Sequence, residues 1–281
     1  MKKIIYLGIC LLFANQIFGQ DNSKYPFEVE KSGVGNRTIV LIPGFACSGE
    51  VWSETKTAYE KEFTCYTLTM AGFAGTKPGP DPSFENWKIE IADFMRKKGI
   101  ERSILIGHSM GGGLAMAIAA DYPELVEKII VVDALPCLAA LTNPNFKQKE
   151  DIDCTATVNQ ITTLPKEQFY QIQKSSMPQL VQNTEMLETV VNWSIASDRR
   201  TFAKMYCDFS NTDLREKIGD IECPTLVLLE SNFKNFKPAI ENQYKNLESA
   251  DLQYADKGLH FIMYDDKEWY FDQLAIFLAI D

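Results

Sequence analysis

The 281-residue sequence contains only two histidines, His108 and His260. Histidine is the side chain that most often transfers protons near neutral pH, so a mechanism that needs a histidine base has two candidates here. Basic residues are also few, because 28 lysines and arginines stand against 38 acidic residues and give a net charge of −10. This acidic balance argues against nucleic acid and anionic membranes as partners.

The sequence also lacks an apolar segment long enough to cross a membrane. The apolar region from 4 to 18 contains Asn15 and Gln16, and it is shorter than the ~20 apolar residues that a spanning helix needs. Two lysines precede this region and the small residue Gly19 follows it, as is typical of a secretory signal peptide. We therefore predict that residues 1–19 are a signal peptide, that no membrane anchor remains, and that the mature protein is secreted or periplasmic.

The seven cysteines are spread widely, and no pair has the spacing of a metal site. We expect no metal and no cofactor. Six cysteines follow the predicted signal peptide, at positions 47, 65, 137, 154, 207 and 223. In an exported protein some of them can form disulfides, but the spacing does not select the pairs, and buried free thiols are an equal alternative.

The region from 25 to 135 alternates short apolar runs with helical segments. Strands are predicted at 27–31, 38–42, 63–70, 104–106 and 128–133, and helices near 50–61, 85–98 and 114–120. This alternation is typical of an α/β protein whose mostly parallel sheet is covered by helices on both faces. Two further strands, at 225–229 and 251–255, and a closing amphipathic helix at 267–280 extend the same pattern.

The segment from 136 to 212 interrupts this alternation. It has no comparable β-branched run, and its pattern predicts helices at 166–174, 184–195 and 199–209. We predict that this segment is a helical cap over the carboxyl edge of the sheet, where open α/β sheets bind ligands. The core is then formed by residues 25–135 and 213–281.

The pentapeptide Gly107-His-Ser-Met-Gly111 lies between a predicted buried strand and a predicted helix. It fits the G-x-S-x-G nucleophile elbow, in which a sharp turn holds a serine above the end of a strand. The two glycines remove the Cβ atoms that such a turn would force together. The pattern therefore predicts Ser109 as a nucleophile.

A serine nucleophile needs a base, and His260 follows the last predicted strand, where it can hang over the same edge of the sheet. His108 lies inside the elbow, and we expect its side chain to leave on the other side of the turn. The carboxylate that orients the base is predicted to be Asp133, which ends the strand at 128–133. Glu230, which follows the strand at 225–229, is the alternative acid.

Acyl transfer also needs N–H donors for the oxyanion that forms on the substrate. The backbone of Met110, directly after the nucleophile, is predicted to supply one donor. The backbone of Phe45, in the loop after the strand at 38–42, is predicted to supply the second. Gly44 lets that loop turn inward.

These motifs together resemble the α/β-hydrolase superfamily. The residues that carry the resemblance are Ile42-Pro-Gly-Phe45, Gly107-His-Ser-Met-Gly-Gly112 and Gly258-Leu-His-Phe-Ile262, with the helical segment where the family has its cap. The resemblance implies the α/β-hydrolase fold, a Ser109, Asp133 and His260 triad, and a serine rather than an aspartate nucleophile.

The leading functional hypothesis is a secreted serine hydrolase that cleaves a small, mostly apolar ester through an acyl-enzyme. Its partner is a small-molecule substrate, and Leu135, Trp193 and Met205 are candidates for the apolar pocket. A peptidase or amidase would use the same residues. A ligand-binding or signalling protein on the same fold is the alternative from another class, because a fold does not determine a function.

Overall fold

The structure is a computed structural model that describes residues 25–279, so the predicted signal peptide lies outside the described residues. The described chain forms a sheet of seven strands: β1 (Phe27–Ser32), β2 (Arg37–Ile42), β3 (Phe63–Met70), β4 (Ser103–His108), β5 (Val126–Val132), β6 (Thr225–Leu229) and β7 (Ala250–Tyr254). Their order is β1-β3-β2-β4-β5-β6-β7. Only the β1–β3 pair is antiparallel, which confirms the predicted mostly parallel sheet.

Ten α-helices connect or follow these strands in the described chain. They are α1 (Ser53–Tyr59), α2 (Phe84–Lys97), α3 (Met110–Asp121), α4 (Thr155–Thr163), α5 (Lys166–Ser176), α6 (Thr184–Ala196), α7 (Arg199–Asn211), α8 (Lys237–Tyr244), α9 (Ile262–Asp265) and α10 (Lys267–Ala279). No helix of the described chain is long and apolar enough to span a membrane.

The strand side chains alternate between two apolar clusters, one on each face of the sheet. In β4, Leu105 belongs to the cluster that includes residues of α2 and α3, whereas Ile104 and Ile106 belong to the cluster that includes residues of α10. Successive strand residues point to opposite faces, so a strand that is apolar at every position must be covered on both sides. This explains why β4 is buried along its whole length.

The parallel strands bring three polar residues to one edge of the sheet. Ser109, Asp133 and Glu230 directly follow β4, β5 and β6, which are neighbours in the sheet. The backbone ladder continues past the strand ends, because Ser109 N–H donates to the Val132 carbonyl (2.8 Å) and Asp133 N–H donates to the Leu228 carbonyl (2.7 Å). The candidate site is therefore attached to interior strands of the sheet.

Between β5 and β6 the chain, which the structure describes completely, forms helices and loops without a strand. The predicted helices in this segment correspond to α5, α6 and α7, whereas α4 is an additional helix. After β6, α8 and α9 are also additional to the predicted helices. β5 ends at Val132, one residue earlier than predicted, because Asp133 has a φ of 50° and so leaves the extended conformation. We refer to residues 136–212 as the helical insert.

One disulfide joins two helices of the helical insert. Cys154, which precedes α4, is bonded to Cys207 of α7, with a Cα–Cα distance of 5.8 Å. The other four described cysteines, Cys47, Cys65, Cys137 and Cys223, are free thiols. The two alternatives left open by the cysteine spacing are therefore both present in one molecule.

Candidate active site

Ser109 occupies a strained turn between β4 and α3. Its backbone has φ 54° and ψ −121°, a combination that costs a non-glycine residue about 1–3 kcal/mol and that persists only where the surroundings enforce it. The surroundings do so here, because a Cβ atom on Gly107 would lie 2.1 Å from the Gly111 carbonyl oxygen, and one on Gly111 would lie 2.3 Å from the Ile42 carbonyl oxygen. Glycine is thus required at both ends of the turn.

Asp133 and His260 are joined by a short hydrogen bond. His260 Nδ1–H donates to Asp133 Oδ2 at 2.5 Å, and the second carboxylate oxygen, Oδ1, accepts the Glu230 backbone N–H at 2.6 Å. Asp133 is 3% exposed. Both oxygens of a buried carboxylate are therefore satisfied, which fixes the carboxylate and leaves His260 Nε2 as the free nitrogen of the ring.

His108 contacts His260 from the elbow. The His108 Nε2–H donates to the backbone carbonyl oxygen of His260 at 3.0 Å, and the two rings lie 4.6 Å apart. Burial, followed by the nearby charge of His260, holds the pKa of His108 well below its usual value. A histidine that stays neutral and donates to a carbonyl supports the loop that carries His260. The ring nevertheless reaches the cavity that contains Ser109, rather than leaving on the other side of the turn.

The loop after β2 packs directly against the elbow. A Cβ atom on Gly44 would lie 2.7 Å from His108 Nδ1 and 3.2 Å from Ser109 Cβ, so only glycine lets the loop approach this closely. The next residue, Phe45, lines the same cavity as Ser109. Met110 is the first residue of α3, where backbone N–H groups have no partner within the helix. Both predicted oxyanion donors thus lie in segments that adjoin Ser109.

A cavity of about 440 Å³ lies over this edge of the sheet. It is lined by Phe45, Ala46, Cys47, His108, Ser109, Asp133, Ala134, Leu135, Leu138, Gln173, Met177, Gln179, Leu180, Val190, Ser194, Phe202, Tyr206, Phe209, Ser210, Glu230, Phe233, His260 and Phe261. Its volume is in the range of small-molecule sites, and its walls are mainly apolar. The structure therefore brings Ser109, Asp133, His260, Phe45 and Leu135 to one cavity.

Trp193 and Met205, two of the predicted pocket residues, do not line this cavity. Both are buried, but Trp193 packs in one apolar cluster and Met205 in the other. The cavity is lined instead by Val190 and Ser194 of α6 and by residues of α7 that include Tyr206. Adjacent positions on a helix point about 100° apart, so Trp193 and Met205 point in other directions than their neighbours Ser194 and Tyr206, which line the cavity.

Two cavity residues that the sequence did not suggest are Gln173 and Ser194. Both are buried, and Ser194 Oγ donates to Gln173 Oε1 at 2.8 Å. Their pairing satisfies part of the polar surface that the helical insert carries into the site. Nothing in their spacing, on two separate helices, distinguishes them from ordinary surface polar residues.

A second cavity, of about 500 Å³, lies within the helical insert and is lined by Lys166, Glu167, Phe169, Tyr170, Ile195 and Arg199. It contains neither serine nor histidine. Among residues 25–279, no group of three or more His, Cys, Asp or Glu residues could hold a metal ion. The first cavity is therefore the candidate active site.

Comparisons with known proteins identify the family of this chain. A family model for the alpha/beta hydrolase fold matches residues 37–266. The chain belongs to the alpha/beta-hydrolase family. Among curated members similar to it is the putative carbamate hydrolase RutD of Serratia proteamaculans, which is 27% identical over 195 residues, covering 68% of this chain and 71% of that protein. The pimeloyl-[acyl-carrier protein] methyl ester esterase of Aliivibrio fischeri is 24% identical, with 66% of this chain and 71% of that protein covered.

Two solved structures share the fold of this chain. The enol-lactonase from Burkholderia xenovorans superposes with a TM-score of 0.73 at 17% identity, covering 90% of this chain and 96% of that one. A thermophilic esterase from Thermogutta terrifontis gives a TM-score of 0.74 at 18% identity, covering 92% and 96% of the two chains. At this identity the likeness shows the fold alone.

Proposed function

We propose that this alpha/beta hydrolase is a serine hydrolase that cleaves a small, mostly apolar ester through an acyl-enzyme. The observation that carries the proposal is the His260–Asp133 hydrogen bond at the edge of the cavity that contains Ser109. The hydrolase and esterase names of the curated relatives support the same reaction class. The mainly apolar cavity walls support an uncharged, mostly apolar substrate.

In the proposed mechanism, Ser109 Oγ attacks the ester carbonyl carbon while His260 Nε2 takes the hydroxyl proton. The oxyanion of the tetrahedral intermediate accepts hydrogen bonds from the backbone N–H groups of Met110 and Phe45. His260 returns the proton to the leaving alcohol as the carbon–oxygen bond breaks. Water then attacks the acyl-enzyme, again with His260 as the base, and releases the acid and Ser109.

Asp133 has an electrostatic and orienting role in this proposal. Its carboxylate accepts from Nδ1–H, so the ring presents Nε2 as the free nitrogen and the imidazolium formed during catalysis is stabilised. Glu230, the alternative acid, donates its backbone N–H to Asp133 and makes no side-chain hydrogen bond to His260. We therefore assign the acid role to Asp133.

We also propose that the helical insert acts as a cap and that the protein is exported. The cap role is supported by α5, α6 and α7, which all contribute residues to the cavity walls. Export is supported by the predicted signal peptide and by the Cys154–Cys207 disulfide, since stable disulfides are typical of oxidising compartments.

A fluorophosphonate probe, which reacts with activated serines, tests the proposal. We expect the wild-type protein to be labelled, Ser109→Ala to lose labelling, and Ser175→Ala, an exposed serine on α5, to keep it. The labelled protein is expected in the exported fraction without residues 1–19. A wild-type protein that is folded but not labelled, or equal labelling of Ser109→Ala, would overturn the proposed activity.

A further inference from the structure

Glu230 places a carboxylate on the cavity wall without a partner. Its side chain lines the cavity and is partly buried. Within the described residues no hydrogen bond or ion pair involves this carboxylate, whereas both oxygens of Asp133 are occupied by His260 and by the Glu230 backbone. A partly buried acidic group without a partner has a cost, so its retention at a ligand site points to a role toward the ligand.

The position of Glu230 is fixed from both sides. Its backbone N–H is held by Asp133 Oδ1, and the next residue, Ser231, donates both its N–H (3.1 Å) and its hydroxyl (2.9 Å) to the Gly258 carbonyl oxygen. Gly258 belongs to the loop that carries His260. The carboxylate is thus attached to the same framework as the catalytic candidates rather than to a free surface loop.

The cavity offers no positive side chain to balance this carboxylate. The residues that line it, all within the described chain, include no lysine or arginine. The groups with charge or titratable protons that face Glu230 are Asp133 after β5, His260 after β7 and Asp265 of α9. Burial and the charge of Asp133 raise the pKa of Glu230 to about 7, so its carboxylate becomes negative as the pH rises through neutrality.

We propose that Glu230 is a specificity-determining residue that excludes substrates with a negative group beside the ester and favours neutral or cationic ones. This inference rests on the proposed hydrolase activity and refines its substrate class. A carboxylate substrate would meet a like charge in a mostly apolar cavity, where charge interactions are stronger than in water. An ammonium or hydroxyl group would find a hydrogen-bond acceptor.

Two sets of matched esters test the proposal. The first set consists of the p-nitrophenyl esters hemiglutarate, valerate and trimethylammonio-butyrate, and the second set carries the same groups on the alcohol. At pH 8 we expect the anionic-to-neutral ratio of kcat/KM to rise about tenfold in Glu230→Gln, and the cationic-to-neutral ratio to fall. The change should shrink at pH 6. Glu241→Gln, which removes an exposed carboxylate paired with Lys237 on α8, should leave both ratios unchanged.

The outcomes separate this inference from the proposed activity. Unchanged ratios in both ester sets, or an equal change for all three esters, would overturn the selection role, because an effect through His260 acts on every ester alike. If no ester is hydrolysed, calorimetry tests the selection role by ligand binding. The affinities of the valerate anion and of the pentylammonium cation are then compared between Ser109→Ala and Ser109→Ala/Glu230→Gln. Equal affinities in the two variants would overturn the inference even then.

Discussion

The two carboxylate oxygens of Asp133 accept hydrogen bonds from two different donors, so a side chain that replaces Asp133 must also offer two acceptors. One oxygen accepts from His260 Nδ1–H and the other from the Glu230 backbone N–H. An asparagine has one acceptor oxygen and one NH₂ donor, so Asp133→Asn must oppose a donor to one of these N–H groups or force the other tautomer of His260. The Glu230 backbone N–H is always a donor, so the amide oxygen is expected to stay toward it and the NH₂ group to turn toward His260. The ring then takes the other tautomer, and Nε2 carries a proton and no longer accepts one from Ser109.

We therefore expect Asp133→Asn to lower kcat for the neutral ester by roughly 10³-fold to 10⁴-fold while the protein stays folded. Asp256→Asn is the matched control, since Asp256 follows β7, is exposed and pairs with Lys234 at the surface. Its kcat should stay within about twofold of wild type. Steady-state kinetics, with circular dichroism to verify folding, provide the measurement. An Asp133→Asn enzyme with nearly full turnover would remove the acid assignment.

The residues of this site differ in how far the sequence could predict them. The elbow at Ser109 depends on neighbours within five residues, so its pattern is visible in the sequence. The prediction of Asp133 as the acid also required the inference that adjacent parallel strands end at the same edge of the sheet. In the part of the chain that the structure describes, the Glu230 carboxylate has no partner because the distant segments that pack around it bring no donor to it. A local sequence pattern does not contain this information.

At the scale of elements, α4 is held in place by covalent and polar contacts more than by burial. None of its residues is buried. The Cys154–Cys207 disulfide joins its start to α7, and the Arg199 guanidinium donates to the carbonyl oxygens of Ile161 and Leu164 at its end. A helix without a buried apolar stripe has no sequence period, which explains why α4 was not predicted.

Removal of the disulfide should therefore loosen α4 and destabilise the molecule. The bond closes a loop with a sequence separation of 53, for which the chain-entropy model gives about 4 kcal/mol of unfolding free energy. We expect Cys154→Ser/Cys207→Ser to lose up to this amount in urea unfolding and to show faster hydrogen exchange in α4. α7 also forms a cavity wall through Phe202 and Tyr206, so KM for the neutral ester should rise.

Reductant provides the control for this prediction. Dithiothreitol should lower the stability of the wild-type protein toward that of the double variant and leave the double variant unchanged. Equal unfolding midpoints for reduced and untreated wild-type protein would contradict the assigned role of the bond. The pairing itself could not be predicted, because six cysteines allow about 15 connectivities, and only the packing of α4 against α7 selects one.

At the scale of the whole molecule, the buried His108 and the partly buried Glu230 change the pH dependence of stability in opposite directions. The pKa of His108 is held well below its usual value by burial. Below about pH 6.5 His108 is therefore protonated in the unfolded chain but stays neutral in the folded protein. The free energy of unfolding falls as the pH drops below that value. The strand patterns predict a sheet that is covered on both faces, and this sheet buries His108. The resulting pKa of His108 depends on the complete packing around its ring, which the strand patterns do not give.

Glu230 acts in the opposite direction. Its pKa is raised from 4.5 to about 7, so the folded protein keeps a proton that the unfolded chain releases. The unfolded state then binds fewer protons between these values, and stability falls as the pH rises through this window. Because the two contributions overlap between about pH 4.5 and 6.5, the pH profile of the wild-type protein alone does not separate them.

The difference between Glu230→Gln and wild type does separate them, since His108 contributes equally to both. Glutamine carries no charge at any pH, so the variant should gain stability relative to wild type as the pH rises from 5 to 8. We expect a gain of about 1 kcal/mol, less than the pKa shift alone implies because the carboxylate keeps some contact with solvent. Urea unfolding at four pH values measures it. A difference that is constant with pH would mean that the Glu230 carboxylate is as well solvated in the folded protein as in the unfolded chain.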